Sequence, residues 1–233
     1  MNTTPRGLVC VSAAAADAAS VIARVLPVLS LADVVEIRLD AMLEARIDPC
    51  VSALDLPLLV TNRPQWEGGL FAGREDDRID QLCAAVRAGA RYADIELRTD
   101  PALRSRLFTV ARDCSARVIV SSHDFTGTPP AAALRATLRQ MVASGADLGK
   151  IVTTATNADE ALRVLALQEE AALHGFPLSA FAMGEPGRIT RLATLYLGGT
   201  MTYAALDDHQ ATAPGQLSVA HLRSLITLFE QRP

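Results

Sequence analysis

Short runs of β-branched and other apolar residues recur along the chain, separated by longer stretches whose apolar positions fall three and four apart. The short runs, at 8–12, 34–38, 58–61, 92–96, 118–122, 148–152, 178–183 and 200–204, are predicted strands. Between them 17–29, 78–88, 131–143 and 159–173 carry helical spacing, and 218–229 reads as a last helix. Asn157-Ala158-Asp159-Glu160 has the form of a capping box, in which each end residue's side chain satisfies a backbone N–H at the other end. Strict alternation of strand and helix implies a parallel sheet. Eight repeats suggest an α/β chain forming a closed (β/α)8 TIM barrel, one domain over 1–233, with an open doubly wound sheet as the competing fold.

Strand parity adds chemistry to this outline, because alternate residues face opposite sides of a sheet. In Val34-Val35-Glu36-Ile37-Arg38-Leu39 the set Val35, Ile37 and Leu39 is apolar and is expected to meet the helices, which turns Glu36 and Arg38 into the barrel. Tyr92-Ala93-Asp94-Ile95-Glu96-Leu97 repeats the arrangement, with Asp94 and Glu96 inward. An acid facing a packed interior costs several kcal/mol unless it is paired or reaches the solvent at the barrel mouth. These charges fall at the C-terminal ends of their strands, where barrel active sites lie, and Ser12, Arg63, His123, Lys150 and Met183 fall at or near such ends too. One Glu-x-Arg strand alone suits a structural ion network; two acidic strands with a histidine and a lysine at one end point to a site. Arg38, Arg63 and Arg191 among carboxylates suit an anionic or polyhydroxylated ligand.

Composition sharpens one residue above the others. Of 22 basic residues only Lys150 is a lysine, and it lies in the apolar run Ala146-Asp147-Leu148-Gly149-Lys150-Ile151-Val152. A guanidinium replaces most surface ammoniums at little cost, but it cannot supply the deprotonatable primary amine that Schiff-base chemistry needs. The net charge of −4 provides no basic field for nucleic acid and no lysine-rich segment for a membrane surface. No apolar run approaches the ~18 residues of a membrane-spanning helix. Arg6 and the alanine-rich stretch after it mimic a signal peptide, but Leu8-Val9-Cys10-Val11 reads equally as a first strand. Cys10, Cys50, Cys83 and Cys114 are too widely spaced for a metal knuckle and are expected to be buried free thiols of a cytoplasmic protein.

Seven separated segments, in order, resemble the type I 3-dehydroquinate dehydratases. They are Val35-Glu36-Ile37-Arg38-Leu39-Asp40; Thr61-Asn62-Arg63 with Glu67-Gly68-Gly69; Asp94-Ile95-Glu96-Leu97; and Ser121-Ser122-His123-Asp124-Phe125 with Thr128-Pro129. Gly145-Ala146-Asp147 with Lys150-Ile151, Met183-Gly184 with Thr190-Arg191, and Ala213-Pro214-Gly215-Gln216 complete the set. The resemblance implies a (β/α)8 barrel, a homodimer without metal or organic cofactor, and dehydration of 3-dehydroquinate to 3-dehydroshikimate. It makes Lys150 the Schiff-base lysine, His123 the general acid and base, and Glu67 the carboxylate that orients the histidine. Arg191, with Thr212 and Gln216, is expected at the substrate carboxylate; Glu36 and Arg63 at the ring hydroxyls, with Arg38 and Ser12 nearby; and Phe181, Met183 and Tyr203 as walls. Thr212, Tyr203 and Phe181 stand where the family usually has serine, phenylalanine and methionine. The loop 207–216 is expected to act as a lid, and Trp66 to lie within reach of the ligand. Another Schiff-base barrel, such as a class I aldolase, and a non-catalytic relative that binds a cyclic hydroxy-acid are the competing functions.

Overall fold

The computed structural model describes residues 6–209, 212, 213 and 215–231. Eight parallel strands form a nearly closed barrel: β1 (Leu8–Ala13), β2 (Val34–Arg38), β3 (Leu58–Thr61), β4 (Tyr92–Glu96), β5 (Arg117–His123), β6 (Leu148–Thr154), β7 (Leu178–Met183) and β8 (Met201–Ala205). β1 pairs with both β2 and β8, so Leu8–Ala13, the first part of the stretch that mimics a signal peptide, is a strand paired on both edges, and the alanines after it lead into the first helix. The remaining seam lies between β7 and β8. Thr200 N donates to Leu178 O at 2.9 Å, and Met201 N donates to the Ser179 hydroxyl at 3.0 Å, so a side chain stands in for part of the ladder.

The helices are α1 (Ala18–Val25), α2 (Asp48–Ala53), α3 (Glu75–Ala88), α4 (Pro101–Asp113), α5 (Ala131–Ala143), α6 (Ala158–Leu165), α7 (Leu167–Leu173), α8 (Arg188–Tyr196) and α9 (Val219–Glu230). Two depart from the sequence expectation. The first ends at Val25 and tightens into a 3-10 turn over Leu26–Leu31, because Pro27 has no N–H to continue an α-helical ladder. The single helix expected over 159–173 breaks at Ala166, where Glu170 N lies 3.5 Å from Ala166 O. Just beyond, the buried Gln168 amide donates to Ala180 O at 3.2 Å and to the Thr194 hydroxyl at 2.7 Å, which docks α7 on its own axis. Half of the expected capping box forms: Asn157 accepts from Glu160 N at 3.0 Å, whereas Glu160 reaches back to Thr156 N at 2.7 Å rather than to Asn157.

Parity sorts the buried residues into two clusters. Val35, Ile37, Ala93 and Ile95 join the layer between strands and helices, while Cys10, Val34, Leu59, Ile119, Leu148 and Met201 fill the lower barrel interior. The apolar plug leaves the upper interior to charged side chains. Cys10, Cys50 and Cys83 are buried free thiols, but Cys114, at the end of α4, is exposed, because the helix ends there at the surface.

Candidate active site

At the barrel mouth the register brings β3, β4, β5 and β6 together so that their inward residues touch. Asp94 pairs across from Ile119, and Ser121 from Lys150. Lys150 Nζ lies 3.2 Å from Asp94 Oδ2, and the Ser121 hydroxyl donates to Asp94 Oδ1 at 2.6 Å. Arg63 sits between two carboxylates, 2.9 Å from Asp94 Oδ1 and 2.5 Å from Glu96 Oε1. Burial alone would raise Asp94, but the cations of Arg63 and Lys150 outweigh it and hold this carboxyl well below its usual range. The face of Tyr203 lies 3.8 Å from Lys150 Nζ, so the same cationic group meets a carboxylate on one side and a π-face on another.

Glu67 enters from the loop after β3. Its Oε1 faces His123 Nδ1 at 2.9 Å and accepts the His123 backbone N–H at 3.1 Å. Both groups are held away from their charged forms. Burial, against the pull of Arg63, raises Glu67 to about 8; burial, reinforced by the positive charges of Arg63 and Lys150, puts His123 well below its ordinary value. Both directions favour a neutral imidazole beside a carboxylic acid over an ion pair, an arrangement with one proton to give. Phe125 stacks on the imidazole, centroids 6.1 Å apart and planes 14° from parallel. Gly68 makes room for that ring: its φ is +78°, and a Cβ there would lie 2.4 Å from Phe125. Gly69 is equally constrained, since a Cβ would lie 2.0 Å from Arg63 O.

These groups open into one cavity of about 70 Å³, lined by twelve of the thirteen side chains expected from the sequence: Glu36, Arg38, Arg63, Glu67, His123, Lys150, Phe181, Met183, Arg191, Tyr203, Thr212 and Gln216. Arg191, on α8, is 2% exposed, its guanidinium 5.1 Å from the Phe181 ring centre; burial lowers it to about 10, still cationic at neutral pH. Arg38 bonds Asp40 through Nε at 2.8 Å and through a terminal nitrogen at 2.5 Å. Thr212 donates to Gln216 Oε1 through its backbone N–H at 2.8 Å and its hydroxyl at 3.1 Å.

Two expectations need correction. Ser12 does not line the cavity: it is opposite Glu36 in the strand register, and its hydroxyl donates to Glu36 Oε2. Trp66 is 42% exposed, packs under the Arg98 guanidinium at 5.3 Å, and borders a separate groove on the far side of His123 and Phe125. Gln210, Ala211 and Pro214, part of the expected lid, lie outside the described residues. Among the described residues no group of three or more His, Cys, Asp or Glu side chains is placed to hold a metal, and no helix is long and apolar enough to cross a membrane.

Comparison with known proteins agrees with this geometry. The type I 3-dehydroquinase family matches residues 9–233. The chain belongs to that family. It is 45% identical over 198 residues to the 3-dehydroquinate dehydratase of Desulfotalea psychrophila, covering 85% of this chain and 88% of the relative. It is 41% identical over 207 residues to that of Haloquadratum walsbyi, covering 84% and 83%. The type I 3-dehydroquinate dehydratase of Clostridium difficile, solved with covalent modified comenic acid, superposes with a TM-score of 0.87 at 26% identity, covering 97% of this chain and 93% of the relative. The enzyme from Enterococcus faecalis gives 0.85 at 28%, covering 98% and 96%. A 3-hexulose-6-phosphate synthase shares the fold alone, at 0.60 and 16%.

The sequence reading of this type I 3-dehydroquinase missed several groups in the site. Thr61 donates to Glu36 Oε1 at 2.7 Å and lines the cavity with Gly68, Phe125, Val152 and Ala213. Strand parity turns Asp94 inward, and the structure makes it the partner of Lys150. Arg78, on α3, is wholly buried and reaches Glu96 Oε2 at 2.7 Å; nothing in its acidic neighbourhood signals that.

Proposed function

We propose that this chain dehydrates 3-dehydroquinate to 3-dehydroshikimate as a hydro-lyase, through a Schiff base on Lys150, and that the whole chain acts as one barrel in the cytoplasm. The observation that carries the reading is the meeting of one buried lysine with the His123–Glu67 pair in the cavity that Arg191 also lines.

The Lys150 ammonium gives one proton to solvent as substrate enters, its neutral amine attacks the C3 carbonyl carbon, and a second amine proton passes to the oxygen to give a carbinolamine. The proton held by Glu67 and His123 leaves with that hydroxyl as water, and an iminium remains. Asp94 and the Tyr203 face stabilise the iminium charge where they now hold the ammonium. Having lost its proton, the pair becomes a Glu67 carboxylate accepting from Nδ1–H, with a free Nε2. Nε2 takes the C2 proton, and the C–H electrons flow into the iminium to form an enamine. The enamine expels the C1 hydroxyl, which leaves as water with that same proton, and hydrolysis of the conjugated iminium frees the product. One pair serves as acid, base and acid again, which suits groups close to neutrality. The iminium is the electron sink, so no metal or organic cofactor is required. Arg191 pairs with the substrate carboxylate in the geometry a guanidinium favours, Glu36 and Arg63 face the ring hydroxyls, and Phe181, Met183 and Tyr203 exclude water.

The test is borohydride reduction with substrate present, read by mass and peptide mapping, beside the ultraviolet absorbance of the enone product. One ligand mass on Lys150 is expected, with loss of labelling and turnover in both Lys150→Ala and Lys150→Arg. Substantial turnover in either variant defeats the Schiff-base assignment, and cleavage of a sugar phosphate in place of enone formation would move the chain to the aldolases.

A further inference from the structure

A run of alternating charges ends at the lysine. Lys150 Nζ meets Asp94 at 3.2 Å, Asp94 meets Arg63 at 2.9 Å, Arg63 meets Glu96 at 2.5 Å, and Glu96 meets Arg78 at 2.7 Å. No side chain in this run is more than 7% exposed. We propose that Arg78 is a positioning residue for Lys150, acting through Glu96, Arg63 and Asp94; this rests on the Schiff-base reading above.

Arg78 holds Arg63 in two ways. Its NH1 group meets Glu96 Oε2, the oxygen that Arg63 does not use, and also donates to Asn62 O at 3.0 Å. Asn62 directly precedes Arg63, so one guanidinium fixes both the carboxylate in front of Arg63 and the backbone behind it. The Asn62 amide donates to Gln81, also on α3, at 2.7 Å, which ties the same segment to the same helix. Arg78 itself is held by the Thr99 hydroxyl at 2.9 Å and by Glu75 at 2.8 and 3.0 Å. The planar fork is fully used, and a point charge such as lysine cannot reproduce it.

Stability alone does not call for this arrangement, since buried ion arrays can often be exchanged for apolar residues without loss. A run that stops at the reacting amine has another use. Without Arg78, Glu96 keeps a single cation against burial, which already raises its carboxyl. Arg63 then loses a firm partner at one end and an anchored backbone at the other. Asp94 must follow Arg63, and Nζ loses the carboxylate that sets its place in the cavity.

The experiment compares Arg78→Met, Arg78→Lys and Asp94→Asn, singly and combined, by steady-state turnover and by the rate of borohydride-trapped imine formation. Arg78→Met should lower kcat and the trapping rate by about tenfold or more while KM moves less than about threefold, and Arg78→Lys should recover part of the loss. On the Asp94→Asn background Arg78→Met should cost less than about twofold, because the path is already cut. Wild-type kcat in folded Arg78→Met, or full additivity with Asp94→Asn, overturns the proposal. Should Arg78→Met fail to fold, Arg78→Lys carries the test: a loss of about threefold in kcat at unchanged KM supports it, and wild-type kcat overturns it. A wild-type chain that traps no imine defeats the Schiff-base reading instead.

Discussion

Replacing Glu67 by glutamine separates the two things this side chain does. The amide keeps an oxygen where Oε1 stands, so it can still accept the His123 backbone N–H at 3.1 Å and Nδ1–H at 2.9 Å. It cannot carry or release a proton. A hydrogen bond to a charged group contributes roughly 1.5–3 kcal/mol against roughly 0.5–1.5 for a neutral one, so about 1–2 kcal/mol is lost from the stage at which Glu67 is a carboxylate. That corresponds to roughly 5- to 30-fold in rate. His123→Ala removes the acid and base themselves and should cost about 10²- to 10⁴-fold. The pH dependence adds a sign. The wild-type pair keeps its proton up to about 8, so imine formation, which needs that proton, should slow as pH rises through that value. Glu67→Gln has no such group, and its slower rate should be flat across the same range. The assay is the rate of borohydride-trapped adduct and of enone absorbance between about pH 6 and 9, bracketing the raised carboxyl. A Glu67→Gln loss as large as that of His123→Ala, or an alkaline limb that survives in Glu67→Gln, would refute the reasoning.

Other variants probe other parts of the site. Arg191→Ala should raise KM by about 100-fold, as expected for losing a charge-assisted pair to the substrate carboxylate, and lower kcat less; an unchanged KM would place the carboxylate elsewhere. Gly68→Ala forces a Cβ at 2.4 Å from Phe125 on a backbone at φ +78°, and should lower the thermal midpoint by an amount equivalent to about 1 kcal/mol or more; wild-type stability and turnover would show the Phe125–His123 stack to be dispensable. Asp40 is held below its usual value because the Arg38 guanidinium and the Leu70 N–H outweigh its burial. The stability it supplies is complete above the unfolded carboxyl value near 3.8 and is lost as pH falls through the lower folded value. Asp40→Asn should therefore flatten the acid limb of thermal stability, and an unaltered limb would show that Asp40 does not contribute to it.

The parts of this fold that were legible in the sequence are those decided by local pattern. Val34–Arg38 and Tyr92–Glu96 alternate so cleanly that one face must be apolar, and the charges on the other then have only the barrel mouth to go to. The end of α1 at Val25 falls short of the helix expected over 17–29, although Pro27 within that stretch carried the signal for it. The break at Ala166 was not legible, because it depends on Gln168 finding Ala180 O and Thr194 across the packed layer. Arg78 follows Glu75-Asp76-Asp77 and reads as an ordinary solvated helix charge; its partners Asn62, Glu96 and Thr99 come from other segments. Ser12 was placed at the correct end of its strand, but only the register with Glu36 shows that its hydroxyl serves the carboxylate rather than the cavity.

The charged groups at the mouth also balance in a way that bears on the ligand. Among the described residues the buried ionisable acids and bases are Glu36, Glu67, Asp94 and Glu96 against Arg63, Arg78, Lys150 and Arg191. With every group charged these four acids and four bases would cancel, and an anion would enter a neutral site. Glu67 is raised to about 8 by its burial. Protonating it alone leaves four cations facing three carboxylates, a surplus of one positive charge beside a cavity lined by Arg191. A cyclic hydroxy-acid carrying one carboxylate cancels that surplus on binding; the iminium keeps the positive charge at Lys150, while the proton that Glu67 spends lowers the site total by one. The proton stored on Glu67 thus does two jobs: it is the one spent on the carbinolamine hydroxyl, and until then it keeps the site cationic for a monoanion. On this argument Glu67→Gln, neutral like the protonated acid it replaces, should retain substrate affinity while losing rate, so that KM holds where kcat falls.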